Sequence, residues 1–89
     1  MNTQKNIESF VSALKESGVS INDEETLIKR LVASKDAEVE LIKIASNSTA
    51  SKITFTASQN TPSSKVSKAF LNHGFDGFAF HQFVPCLKM

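Results

Sequence analysis

The spacing between apolar residues changes along this chain, and that change limits the folds it can adopt. The first apolar residues recur three or four positions apart, the period of one face of an α-helix: Ile7, Phe10, Val11 and Leu14. Farther on, residues 52–58 and 78–84 alternate between apolar and polar side chains, which is the period of a half-buried strand. We therefore predict a chain in which helices come first and strands follow.

Two helices are predicted in the first part of the chain. Thr3 is placed as the N-cap of the first, and Gly18 as the left-handed residue that ends it. The second begins at residues 22–25, where an N-cap residue is followed by carboxylates at the positive end of the helix dipole. Its apolar face consists of Leu27, Ile28, Leu31 and Val32. Because the connection between the two helices is short, we expect a helical hairpin.

Residues 36–47 allow two interpretations. Wound as a helix, their apolar residues scatter around the circumference. Read as a strand, Glu38 and Glu40 alternate with Val39 and Leu41 until Ile42 interrupts the pattern. We favour a strand with a bulge near Ile42 and keep a third helix as the alternative.

The remaining elements complete an α+β fold. Residues 52–58 are expected to pair with the preceding strand as a hairpin. Thr61 and Pro62 start a further helix, which Gly74 ends, and Phe75 then contacts Phe70. Asp76 and Gly77 form a turn before the last strand. The predicted fold of residues 1–89 is a single domain: a helical hairpin followed by a small, mainly antiparallel three-stranded sheet with one further helix, in the order α-α-β-β-α-β.

Charge and cysteine content bear on the class of partner and on the cellular compartment that we expect for this chain. Residues 1–45 carry six basic and eight acidic side chains, a net of −2, whereas residues 46–89 carry four lysines against Asp76, a net of +3. This charge asymmetry is much weaker than the dense cluster of basic residues typical of a nucleic-acid-binding protein. Cys86 is the single cysteine, and there is neither a continuous apolar signal segment nor a membrane-spanning run. We expect a cytoplasmic protein that does not enter the membrane.

Residues suited to catalysis or metal binding are few. Cys86 with His81 or His73 is the nucleophile–base pair available, and it lies near the C-terminus, where rigid positioning is difficult. The same three side chains and Asp76 lack the tight spacing of a structural zinc site. We therefore expect no enzyme activity, no metal and no cofactor.

Phenylalanine is concentrated near the C-terminus, where five of the seven lie between Phe70 and Phe83. In the predicted terminal strand both faces carry aromatic rings, whereas a half-buried strand needs one polar face. Either all the rings are core, or one face meets a partner. We predict a non-enzymatic protein–protein interaction module, a small stoichiometric adaptor, regulator or inhibitor of the kind found among phages and mobile elements. Its partner is another protein or a second copy as a homodimer, and its contact residues are Phe78, Phe80 and Phe83, with His81 and Lys88 at the rim.

The alternative function is single-stranded nucleic-acid binding. Residues 77–83, Gly-Phe-Ala-Phe-His-Gln-Phe, resemble the RNP1 strand of RNA-recognition-motif domains, and the resemblance implies that Phe78 and Phe80 stack on bases. Asp76 stands where that family has a basic residue, and His81 where it has an apolar one, so we do not assign the chain to the family. In this alternative the stacking rings are joined by phosphate-binding lysines, and the site comprises Phe55, Phe78, Phe80, Lys52, Lys65 and Lys68.

Overall fold

The computed structural model describes residues 3–58 and 61–87. These residues form six α-helices, two short strands and a final 3-10 turn at Val84–Cys86. In chain order the helices and strands are α1 Gln4–Ser17, β1 Val19–Ile21, α2 Glu24–Ala33, α3 Ala37–Ser46, α4 Ser48–Ser51, β2 Phe55–Ala57, α5 Ser63–Asn72 and α6 Gly77–Phe83. The fold is mixed helix and strand, as predicted, but mostly helical. None of its helices, within the described ranges, is long and apolar enough to cross a membrane.

Helix α1 forms as the sequence predicts. The Thr3 hydroxyl accepts a hydrogen bond from the Asn6 N–H at 3.2 Å, which caps the helix, and Gly18 ends it with φ at +112°. The predicted apolar stripe is buried. Helix α2 begins one residue later than the first candidate cap, because the Asp23 side chain accepts from the Thr26 N–H. The connection between the two helices contains β1, which the sequence did not predict.

Residues 36–47 contain helix α3, so the favoured strand prediction is wrong and the alternative prediction, a third helix, is confirmed. Asp36 caps α3 by accepting from the N–H groups of Glu38 and Val39 at 3.1 and 3.3 Å. The buried residues have the helical spacing: Ala37, Leu41, Ile44 and Ala45. Two of them are small alanines, and Val39 points away from the core with 49% of its surface exposed. The apolar residues scatter around the helix because Val39 lies outside the core-facing stripe.

The sheet has two antiparallel strands rather than three. The strand predicted within residues 52–58 is present as β2, but it pairs with β1 in the register Val19 to Ala57 and Ile21 to Phe55. The expected hairpin with residues 36–47 is therefore wrong. Both strands bury their first and last side chains and expose the middle one, so this small sheet covers the core with one face.

The predicted strand at residues 78–84 is also wrong, because residues 77–83 form α6. Asp76 and Gly77 begin this helix rather than a turn: the Asp76 carboxylate accepts from the Ala79 N–H at 2.9 Å. Ala79 and Phe83, four residues apart, are the buried pair. Alternation of aromatic and other residues over seven positions resembles the pattern of a strand. The helix forms because Asp76 caps its start and because residues four positions apart are both buried on one face.

The end of α5 matches the prediction, whereas its start does not. Gly74 adopts a φ of +84°, and the Phe75 N–H donates to the Phe70 carbonyl at 2.9 Å, which completes the expected Schellman motif. At the start, Pro62 occupies the N-cap position without a side-chain hydrogen bond. The Thr61 hydroxyl instead donates to the Gly18 carbonyl at 3.1 Å and so ties this loop to the end of α1.

Buried apolar side chains form one cluster, in which leucine and isoleucine side chains surround a group of aromatic rings. Five phenylalanine rings lie inside it: Phe10, Phe55, Phe70, Phe75 and Phe83. Phe10 stacks on Phe75 with ring centroids 4.1 Å apart, and Phe70 meets Phe10 edge-on at 5.1 Å. Edge-on and offset pairs of this kind contribute about 0.5–1.5 kcal/mol each beyond the area they bury. The aromatic cluster of the sequence is therefore largely core.

Candidate functional site

Helix α6 separates the aromatic residues that the strand prediction had grouped together. Phe83 has no exposed surface, and its ring meets Phe55 edge-on at 5.0 Å, so it does not face a partner. Phe80 is half-buried, with its ring 5.8 Å from that of Phe70. Phe78 is 72% exposed. Successive helical residues lie about 100° apart, which is why rings that share a strand face diverge here.

The two proposed rim residues have different outcomes. His81 is exposed beside Phe80, with ring centroids 5.6 Å apart. Lys88 lies outside the described residues.

An apolar groove lies beside Phe78, between α3 and α6. Its volume is about 220 Å³, and it is lined by Glu38, Val39, Ile42, Lys43, Phe78, Ala79 and Gln82. Ala79 is buried and Ile42 packs partly against the core, whereas Val39 and Phe78 are largely exposed. Exposed apolar side chains scattered singly are ordinary, but two of them on the walls of one groove form a patch that water solvates poorly.

One hydrogen bond joins the start of α3 to the start of α6. Asp36 caps α3, and Asp76 caps α6. The Glu38 carboxylate, in the first turn of α3, accepts from the Asp76 N–H at 3.2 Å and so links one helix start to the other. This bond, together with the packing of α3 against α6, sets the distance between the two walls of the groove.

The charges around the groove are of both signs. Glu38 and Lys43 line it, whereas Glu40 is drawn away by an ion pair with Arg30 at 2.9 Å. Lys43 makes no ion pair with any residue in the described ranges. The groove thus presents an apolar floor with one anionic and one cationic side chain beside it.

Residues of the nucleic-acid alternative are not brought together. Phe55 is 2% exposed, so its ring cannot stack on a base. Lys65 and Lys68 line a different groove, together with Glu16 of α1. Lys52 is exposed at the end of α4, where its φ is +61°. Phe78 therefore lines one groove while two of the three lysines line another.

Candidate catalytic and metal-binding side chains are engaged in local structure. The Cys86 thiol donates to the Gln82 carbonyl at 3.6 Å, and His73 Nδ1 lies 2.7 Å from the Ala69 carbonyl oxygen. Across residues 3–58 and 61–87, no group of three or more His, Cys, Asp or Glu side chains is placed to hold a metal ion. The hollow of about 360 Å³ near His73 is lined by Asp36 and Glu38, whose carboxylates already accept backbone hydrogen bonds.

Two groove residues, Val39 and Ile42, were not predicted from the sequence. The signal that points to them is present: they are the apolar residues that break the helical pattern of residues 36–47. Val39 lies outside the core-facing stripe and is exposed, whereas Ile42 is partly buried at its edge. Exposed apolar residues are candidates for contact.

In comparisons with known proteins, no family model, no curated protein and no solved structure matches this chain.

Proposed function

We propose that this chain is a non-enzymatic protein-binding module, and that the groove between α3 and α6 is its docking surface. The observation that carries the proposal is Phe78, an aromatic residue with 72% of its surface exposed on the wall of a mainly apolar groove. The helical groove replaces the terminal strand predicted from the sequence, and of the three predicted contact rings it keeps Phe78.

The energetics favour an occupied groove. Fully burying a phenylalanine side chain gains about 1.5–3 kcal/mol. Because 72% of Phe78 is exposed, covering it gains roughly 1–2 kcal/mol before the costs of association. Aromatic anchors of this kind supply a large share of the affinity in protein interfaces. A segment of polypeptide that presents aliphatic side chains fits a groove walled by two helices.

A peptide selection tests this proposal. Phage-displayed random peptides are selected on the immobilised wild-type protein, and selected peptides are titrated into the ¹⁵N-labelled protein. We expect chemical-shift changes centred on Val39, Ile42 and Phe78. Phe78→Ser is expected to weaken binding at least about tenfold, the loss typical of a central anchor.

Leu71→Ser is the matched control, because Leu71 is 58% exposed but does not line the groove. This variant is expected to bind the peptides as the wild type does. Binders that leave the groove signals unchanged, a Phe78→Ser variant that binds normally, or a selection that returns no binder would each contradict the proposal.

A further inference from the structure

Four residues on the groove-facing side of α3, two of them exposed and two partly buried, have the spacing of one heptad of a coiled coil. Val39 and Ile42, three positions apart, occupy the places of the apolar a and d residues. Glu38 and Lys43 then occupy the flanking g and e places, with the anion on one side and the cation on the other. All four line the groove.

We infer that the occupant of the groove is a second copy of this chain, with the two α3 helices side by side and parallel about a twofold axis. This inference rests on the proposed function, since it names the partner of that surface. In a parallel pair, a residue at g lies opposite the e residue five positions farther along the other helix. Glu38 of each copy then meets Lys43 of the other copy, and the apolar pair lies between.

Charge complementarity is what selects a second copy over an unrelated segment. One chain supplies both signs, and the twofold axis repeats the same ion pair on both flanks. Lys43 has no ion-pair partner among the described residues and is exposed. Glu38 spends one carboxylate oxygen, Oε1, on the Asp76 N–H, which leaves Oε2 for a lysine.

Phe78 gives the arrangement its second contact. Helix α6 packs beside α3, with Phe78 on the wall of the groove that Glu38 also lines. In the parallel pair, the methylene stem of Lys43 from the second copy lies against this ring while its ammonium group reaches Glu38. Lysine stems commonly cover apolar surface in this way, and an ammonium near an aromatic face is attracted to it.

The contact is small, and this sets the affinity. Helix α3 has ten residues, about 15 Å of length, and it presents a single heptad. An interface of this size falls below the roughly 800 Å² per partner of stable complexes, so we expect a dissociation constant on the order of 100 μM.

Exchange of charges between two variants tests the inference. Glu38→Lys places two lysines on each flank of its homodimer, and Lys43→Glu places two glutamates there, so both are expected to raise the dissociation constant at least about tenfold. Mixed together, the two variants regain an opposite pair on both flanks. We expect sedimentation velocity at about 100 μM to show roughly half of the wild-type chains in dimers, each variant alone mainly as monomers, and a dimer fraction in the mixture like that of the wild type.

Isotope labelling of one variant followed by native mass spectrometry identifies the mixed dimer. Lys68→Glu, which reverses an exposed lysine of α5, is the matched control and is expected to dimerise like the wild type. A wild-type protein that stays monomeric at 1 mM, a mixture that stays monomeric, or a dimer indifferent to both reversals overturns the inference. The proposed function fails separately, since it requires peptide binding at Phe78 whether or not the chain self-associates.

Discussion

Phe78 and Phe83 lie on the same short helix, yet we expect replacement by alanine to lower the free energy of unfolding strongly at Phe83 and hardly at all at Phe78. Phe83 has no exposed surface, and its ring contacts those of Phe55 and Phe70 at centroid distances of 5.0 and 5.1 Å. Truncating such a ring costs about 3–5 kcal/mol, through lost transfer energy and a cavity. Phe78 is 72% exposed, so its truncation should change the free energy of unfolding by no more than about 0.5 kcal/mol.

The size of the first effect determines the assay. Domains are stable by roughly 0.05–0.15 kcal/mol per residue, which gives this chain about 4–13 kcal/mol in total. At the low end of this range Phe83→Ala leaves little stability, so the milder Phe83→Leu is measured beside it to keep the difference in the free energy of unfolding measurable. Urea unfolding followed by far-ultraviolet circular dichroism is the suitable method, because the chain has neither Trp nor Tyr for fluorescence.

The two alanine substitutions distinguish a helix from a strand at residues 77–83. On a strand Phe78 and Phe80 share one face, and Phe83 lies on the other. Equal losses for Phe78→Ala and Phe83→Ala, or a larger loss for Phe78→Ala, would refute the helical arrangement and the groove with it.

Three further substitutions test individual contacts of the fold. Asp76→Ala removes the N-cap of α6 and is expected to cost about 1 kcal/mol, seen as a lower urea midpoint; an unchanged midpoint would mean that the cap is not formed in solution. Gly18→Ala should cost more than about 1 kcal/mol in the same assay, because φ is +112° and the new Cβ would lie 2.5 Å from the Thr61 hydroxyl oxygen, so a neutral effect would contradict the tight approach of that loop. Glu40→Gln breaks the ion pair with Arg30, which is partly exposed, and should cost less than about 1 kcal/mol with the difference shrinking in high salt; a salt-independent loss would point to a buried pair.

The sequence predicts those elements whose local signals agree. Helix α1 has an N-cap, a regular stripe and a terminal glycine, and all three are found. The Schellman motif at Gly74 was equally readable, because a glycine and a following apolar residue define it. Strand β1 could not be read, since three residues in a short connection carry no period of their own.

Errors arose where tertiary packing decides between two local patterns. Residues 78–84 alternate like a strand, and α6 forms because Ala79 and Phe83 together reach the core. For the candidate site, the aromatic cluster pointed to Phe78, but which of its rings are exposed depends on that same packing. Val39 was predicted as part of a strand, so its position opposite Phe78 could not be foreseen.

The two strands are joined across a long stretch of chain, and this has a kinetic consequence. Residues 22–54 lie between them, and the Asn22 side chain adds a further link by bonding the Lys52 carbonyl at 2.9 Å and the Thr54 N–H at 2.7 Å. Closing so long a segment costs entropy before any strand contact is gained, whereas α1 and α2 are neighbours that can pack early. We expect the sheet to form after the folding transition state, so that Thr56→Gly accelerates unfolding and leaves the folding rate unchanged in stopped-flow experiments; a slower folding rate would place the strands in the nucleus instead.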